Sequence, residues 1–226
     1  MQKKKSAYYY QNYQKRMNLK QEYYQFGLLK LNYKSKKDLY ENLYVKAIVD
    51  AYQRINKSAA LENEIRDRFI LDLEKENKLT RDLIQNEILQ LDFERPHFVS
   101  PTEKRRTDVV FFISGFGRFT VECKRLFKES SKNEEYIDEG LKRFIELKYS
   151  EKESYAGMIG FIVSGDILTI TSDLNAKVKD YFFVLSQSNL LTKRCVNWKY
   201  SFQSKHNRIN NTKIHIYHLF FNFLLI

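Results

Sequence analysis

The spacing of hydrophobic residues changes period near the middle of the chain. From Asp38 to Asn56, Leu39, Leu43, Ala47 and Ala51 recur every fourth residue, which predicts an amphipathic helix. A second helix is predicted from about Ala59 to Glu76, with Leu61, Ile65, Phe69 and Leu73 as its buried stripe. Ser58 precedes it as a candidate N-cap, because a side-chain oxygen there satisfies a free backbone N–H. A shorter helix is predicted over Leu79 to Gln90, and Arg95-Pro96 then breaks regular structure.

From Thr107 the texture becomes that of strands. Asp108 to Ile113 and Arg118 to Cys123 are short β-branched and aromatic runs on either side of Ser114-Gly115-Phe116-Gly117, the pattern of a β-hairpin. A helix over Asn133 to Tyr149 follows, with Ile137, Leu141 and Phe144 on one face. A strand over Ala156 to Val163, a helix over Asp173 to Leu185 and a last strand over Lys213 to Phe223 complete the order. No internal repeat is visible. This succession predicts an α/β (α+β) fold with a central mixed sheet flanked by helices.

Charge alters the picture because it is segregated. The 226 residues carry a formal charge of +11. Residues 1–56 hold +8, residues 57–192 hold −3 and residues 193–226 hold +6. We divide the chain accordingly into a basic helical extension, 1–56, and a core, 57–226. Ten of the 16 tyrosines lie in the extension, and Lys193 to Lys213 interleaves Trp198, Tyr200 and Phe202. Basic residues mixed with aromatics suit surfaces that follow phosphates and stack bases, so a polyanion is the expected partner. Packing tyrosines and a solvated lysine face are the plainer alternative.

The only two cysteines, Cys123 and Cys195, lack CxxC spacing, which argues against a zinc site or disulfide framework and fits a reducing cytoplasm. The run Ile214 to Ile226 is shorter than the ~20 residues of a spanning helix, so no membrane association is expected. His215 and His218 fall on opposite faces of a strand, and no P-loop, GxGxxG or GxSxG is present.

The candidate chemistry lies on the hairpin. With the turn centred on Gly115, Asp108 and Glu122 are equidistant from it and face each other, with Cβ atoms roughly 5 Å apart. Two carboxylates that close repel, and a divalent cation between them removes the penalty. Lys124 shares the face of Glu122, where its ammonium meets a phosphate or an attacking water. Glu-x-Lys alone carries little information: Glu76/Lys78 and Glu146/Lys148 also have it, but on helices, where i and i+2 diverge. A cross-strand salt bridge on a solvated face is the alternative.

Arg106-Thr107-Asp108-Val109-Val110-Phe111-Phe112 and Phe119-Thr120-Val121-Glu122-Cys123-Lys124 resemble the PD-(D/E)xK nuclease superfamily, with Thr107 in the place of the motif's proline. The resemblance spans roughly Ala59 to Phe223 and implies a restriction-endonuclease-like fold. It implies metal, Mg²⁺ with Mn²⁺ as substitute, at Asp108 and Glu122, and Lys124 serving the nucleophilic water. It also implies a further acid on the preceding helix; Glu64 is the choice because it borders the buried stripe, with Glu62 as competitor.

The expected function is a metal-dependent endonuclease cutting double-stranded DNA, of restriction or anti-phage type, with a homodimer as a reasonable state. The alternatives are a non-catalytic nucleic-acid-binding module or an interaction subunit that keeps the fold. Arg143, Lys193, Arg194, Lys205, His206 and Arg208 are the candidates for phosphate contact.

Overall fold

The computed structural model describes residue 22 and residues 27–58, 61–94, 96–98, 104–179 and 197–224. Helix α1 (36–54) runs continuously through an α turn Lys36–Leu39, a π-helical stretch Tyr40–Val45 and an α segment Lys46–Arg54. Ser35 caps it, its side chain accepting from the Asp38 N–H at 3.1 Å. Helix α2 (Glu62–Lys75) starts later than its apolar stripe predicts. Leu61 stands at its cap, and Ser58 instead gives its N–H to Asn56 Oδ1 in a local turn.

Helix α3 is only Arg81–Gln85, and strand β1 (Leu89–Phe93) takes up Leu89 and Gln90, the end of the predicted helix. Glu87, at φ 58, ends the helical path, and pairing of Leu89 with Ile113 draws the chain into the sheet. Short strands β2 (Pro96–Phe98) and β3 (Lys104–Arg106) pair with each other. Strands β4 (Val109–Ile113) and β5 (Gly117–Leu126) form the predicted hairpin. Helix α4 (134–145), strand β6 (Tyr155–Ile162), helix α5 (Ile167–Lys179), and strands β7 (Ser201–Asn207) and β8 (Lys213–Asn222) follow. The predicted helix over 173–185 thus begins earlier, at Ile167, and residues 180–185 lie outside the described residues.

The six-stranded sheet has the order β1-β4-β5-β6-β8-β7. Strands β5, β6 and β8 run parallel; β1, β4 and β7 are antiparallel to their neighbours. The fold is a mixed α/β domain with helices on both sheet faces. Helices α1 and α2 cover the face of Phe111, Phe119, Cys123 and Phe161. Helices α4 and α5 cover the face of Ala156, Met158, Ile216 and Phe220.

The 36–54 part of the basic extension therefore belongs to the core layer, with the Tyr40 ring tilted 5.0 Å from Phe119 and Tyr44 stacked 4.8 Å from Phe111. The glycines of the predicted turn have a direct structural counterpart. Gly115 and Gly117 take φ of +86 and +82 in the hairpin turn, conformations that favour glycine. Gly140 lets the Met158 methyl group close on α4, where a Cβ would collide.

Candidate active site

The site exists because strand β4 stops short of its partner. The hairpin register pairs Val109 with Val121 and Ile113 with Gly117. Beyond Val121, strand β5 continues to Leu126 with only β6 beside it. Alternate N–H groups of a strand point the same way, so those of Cys123 and Arg125 face the side that β4 has vacated. Two carboxylates meet them: Cys123 N–H donates to Asp108 Oδ2 at 2.7 Å, and Arg125 N–H donates to Glu62 Oε2 at 2.9 Å. Asp108 thus sits one residue before β4, opposite Glu122 as the extended register requires. Glu62 arrives from the first turn of α2.

Glu122 is 2% exposed and faces the α4 side of the sheet. Its Oε1 accepts from Lys124 Nζ at 3.1 Å and from an Arg143 guanidinium nitrogen at 3.0 Å. Its Oε2 is buried without a hydrogen-bond partner. Burial, reinforced by the Asp108 charge and opposed by Lys124 and Arg143, pushes the Glu122 carboxyl up to about 8. Burial, helped by Asp108 and opposed by Lys124, raises Glu62 as well. Burial disfavours the Lys124 charge, but Glu122, Glu62 and Asp108 outweigh it and hold the ammonium above its ordinary pKa.

Two arginines flank the carboxylates. Arg143 also donates to the Tyr149 hydroxyl at 3.0 Å and to Glu139 at 3.3 Å. Tyr149 passes its own proton donor to the Arg106 carbonyl. Arg66, buried on α2 one turn after Glu62, reaches Asp108 Oδ1 at 3.5 Å and Glu94 at 3.0 Å. Asp108, Glu122 and Glu62 are thus surrounded by Lys124, Arg143 and Arg66, whose outer contacts run on to Glu139, Glu94 and Asp67.

The structure brings Asp108, Glu122, Lys124 and Arg143 together. It leaves Glu64 exposed, on the other side of α2 from Glu62. Residues two apart on a helix diverge by about 200°, so only one of the two can face the sheet edge. Arg66 and Tyr149 were not singled out from sequence; the i, i+4 spacing of Arg66 from Glu62 is the signal that was there.

The C-terminal candidates do not join the site. His206 is fully buried on β7, bonded to Ser204 Oγ at 2.6 Å. Ser204 Oγ also meets His218 Nε2 at 2.7 Å, and His218 Nδ1 meets the Tyr136 hydroxyl at 2.8 Å. His206 is therefore a core residue rather than a phosphate contact. Arg208 is 3% exposed and donates to the carbonyls of Ser150, Glu151 and Glu153, fixing a loop from inside. Lys205 alternates with Ser204 and His206 onto the opposite sheet face from Glu122. Lys193 and Arg194 lie outside the described residues.

Among the described residues, no three His, Cys, Asp or Glu side chains are gathered into a ready metal-holding group. The oxygens placed to accept one are the unpartnered Glu122 Oε2 and Asp108 Oδ1, whose contact to Arg66 is long. Among the described residues, no helix is long and apolar enough to cross a membrane. Comparison with family models, curated proteins and solved structures gives no match to this chain.

Proposed function

We propose that this protein is a metal-dependent endonuclease hydrolysing phosphodiester bonds in DNA, on a restriction-endonuclease-like fold. The observation that carries the reading is the buried, unpartnered Glu122 Oε2 opposite Asp108, with the Lys124 ammonium 3.1 Å from the same carboxylate. A buried carboxylate oxygen without a donor is expensive, and a second carboxylate facing it makes it more so. A hard divalent cation relieves both, and an all-oxygen donor set is what Mg²⁺ selects, with Mn²⁺ a substitute.

Asp108 and Glu122 would hold the ion, with Glu62 at its margin. The ion supplies Lewis acidity to the phosphate and to the attacking water. The chain's own groups do the rest. Lys124 brings positive charge to the nucleophile side of the phosphate. Arg143, released from Glu122, meets phosphate oxygens as a fork, while Tyr149 keeps its guanidinium in place. An ion held there would offset the carboxylates and free the cations for an anionic substrate.

The charge distribution supports a long polyanion, since +8 and +6 flank the −3 segment that holds the site. One observation favours a second reading, a non-catalytic nucleic-acid-binding module: Lys124, Arg143 and Arg66 already neutralise the acids without an ion. Plasmid incubated with the protein in Mg²⁺, in Mn²⁺ and in EDTA separates the two. Metal-dependent nicking that disappears in Glu122→Ala and Lys124→Ala supports the nuclease. Retained DNA binding with no cleavage and no metal uptake supports the module.

A further inference from the structure

The sheet face that carries the site continues away from it as a groove. Strand alternation puts Val110 and Phe112 on the face of Asp108, and Thr120 and Arg118 on the face of Glu122. These side chains floor a groove of about 650 Å³ roofed by the loop 147–153. The loop is held in shape: Leu147 and Ser150 take φ of 61 and 52, and Arg208 binds three of its carbonyls from beneath. Tyr149 belongs both to this groove and to the Arg143–Glu122 contact, so groove and site share a wall.

Two hydroxyls at the groove are unmet. Thr107 Oγ1, on a residue 5% exposed, and Ser150 Oγ are buried with no hydrogen-bond partner, and both residues line the groove. Each such group costs about 1–3 kcal/mol until something bonds it. Phe112 presents a ring to the floor with the Arg118 guanidinium 5.8 Å from its centroid. Lys148 and Lys152 stand exposed on the rim. Of the two acids there, Glu153 is engaged by Lys36 and by the Arg118 N–H.

We propose that this groove binds an unpaired nucleic-acid strand leading away from the phosphate that Lys124 and Arg143 meet. The proposal rests on the nuclease reading and narrows its substrate to nucleic acid with a single-stranded segment beside the cut. Size decides for a single strand: the groove has the volume of a small-molecule pocket, room for a nucleotide or two and far too little for a duplex. From Glu122 to Arg118 the floor runs four residues, about 13 Å. Chemistry agrees, since a base stacks on Phe112 beside Arg118, hydroxyls meet base edges, and rim lysines meet phosphates.

Binding of the full chain in EDTA to a labelled blunt duplex, and to the same duplex with a short unpaired tail, tests this by fluorescence anisotropy. The tail should tighten binding about tenfold, the scale of stacking one base. Thr107→Val keeps the shape and removes the unmet hydroxyl. It should cut the tail preference about fivefold while the melting temperature stays level or rises, a combination that a structural hydroxyl does not give. Lys152→Glu, on the exposed rim, should weaken tailed binding with the fold intact. Equal affinity for blunt and tailed duplexes, or a tail preference untouched by both substitutions, overturns the proposal. Metal-dependent plasmid cutting by a protein that ignores the tail overturns the groove and leaves the nuclease standing. Tail binding lost in Thr107→Val, from a protein that cuts nothing, supports the groove and overturns the nuclease.

Discussion

Helix α4 covers two buried polar clusters of opposite character. Near its start, Tyr136 leads a chain of neutral hydrogen bonds through His218 and Ser204 to His206. Near its end, Arg143 enters a cluster of ions around Glu122. Both lie on the same sheet face. One neutral arrangement runs through the first: Tyr136 donates to His218, His218 to Ser204 and Ser204 to His206, and at the far end His206 Nδ1 is left without a partner. Burial holds both histidines low, His206 at about 4 and His218 well below its ordinary value.

The ionic cluster is not self-consistent. Two acids oppose one another, one oxygen has no donor, and burial raises the carboxyls it should ionise. One unmet nitrogen on a neutral ring costs about one hydrogen bond, whereas facing carboxylates with an unmet oxygen cost more, and that excess marks the ionic cluster as the candidate functional site.

The contrast breaks most directly at Glu122. Glu122→Gln should lower plasmid cleavage about 10³-fold, the scale of losing a group that acts on developing charge. Its melting temperature should move by under about 4 °C. A large loss of stability with residual cleavage would make Glu122 structural after all.

The neutral chain should respond to acid instead. His206 is held neutral when folded and titrates near 6.5 when unfolded, so its stability contribution is complete above pH 6.5 and is lost as pH falls toward 4. The loss is on the order of 3 kcal/mol, at 1.36 kcal/mol per unit. Urea midpoints at pH 7 and near pH 4 measure it, and His206→Gln should flatten the slope. An unchanged slope in that variant would remove His206 from the account.

A smaller effect is expected at the hydroxyl between the rings. Ser204→Ala leaves both histidine Nε2 atoms without their partner and should cost about 2 kcal/mol by denaturant titration. Cleavage per folded molecule should not change. A parallel fall in cleavage would show the two clusters to be coupled through α4.

The smallest test separates two neighbouring acids. Glu62→Gln should reduce cleavage about tenfold through weakened charge at the site. Glu64→Gln should leave the rate as it was, because Glu64 faces solvent. The reverse result would place the helical acid on the wrong face of α2.

Much of this was legible before any coordinates. Two glycines at 115 and 117 demand a turn, and equal spacing from it puts Asp108 across from Glu122. The i, i+2 relation puts Lys124 beside Glu122, and the structure realises it at 3.1 Å. These are local consequences of turn chemistry and strand period. The rest is not local. Glu62 and Glu64 fit the helix equally well, and only the vacated edge of β5, with its Arg125 N–H, selects Glu62. His206 read as basic surface because strand period alone does not show that the face it shares with Ser204 is buried, and Arg208 did so because its carbonyl partners lie about 57 residues away. Leu89 and Gln90 joined a strand because β4 offered pairing that helix propensity could not match. The sequence by itself determined the hairpin and the facing of its charges, since a period of two and a glycine turn leave no other register. Which carboxylate joins them, and which polar groups the core absorbs, depended on where distant elements meet, because a buried polar group takes its role from the partner that reaches it.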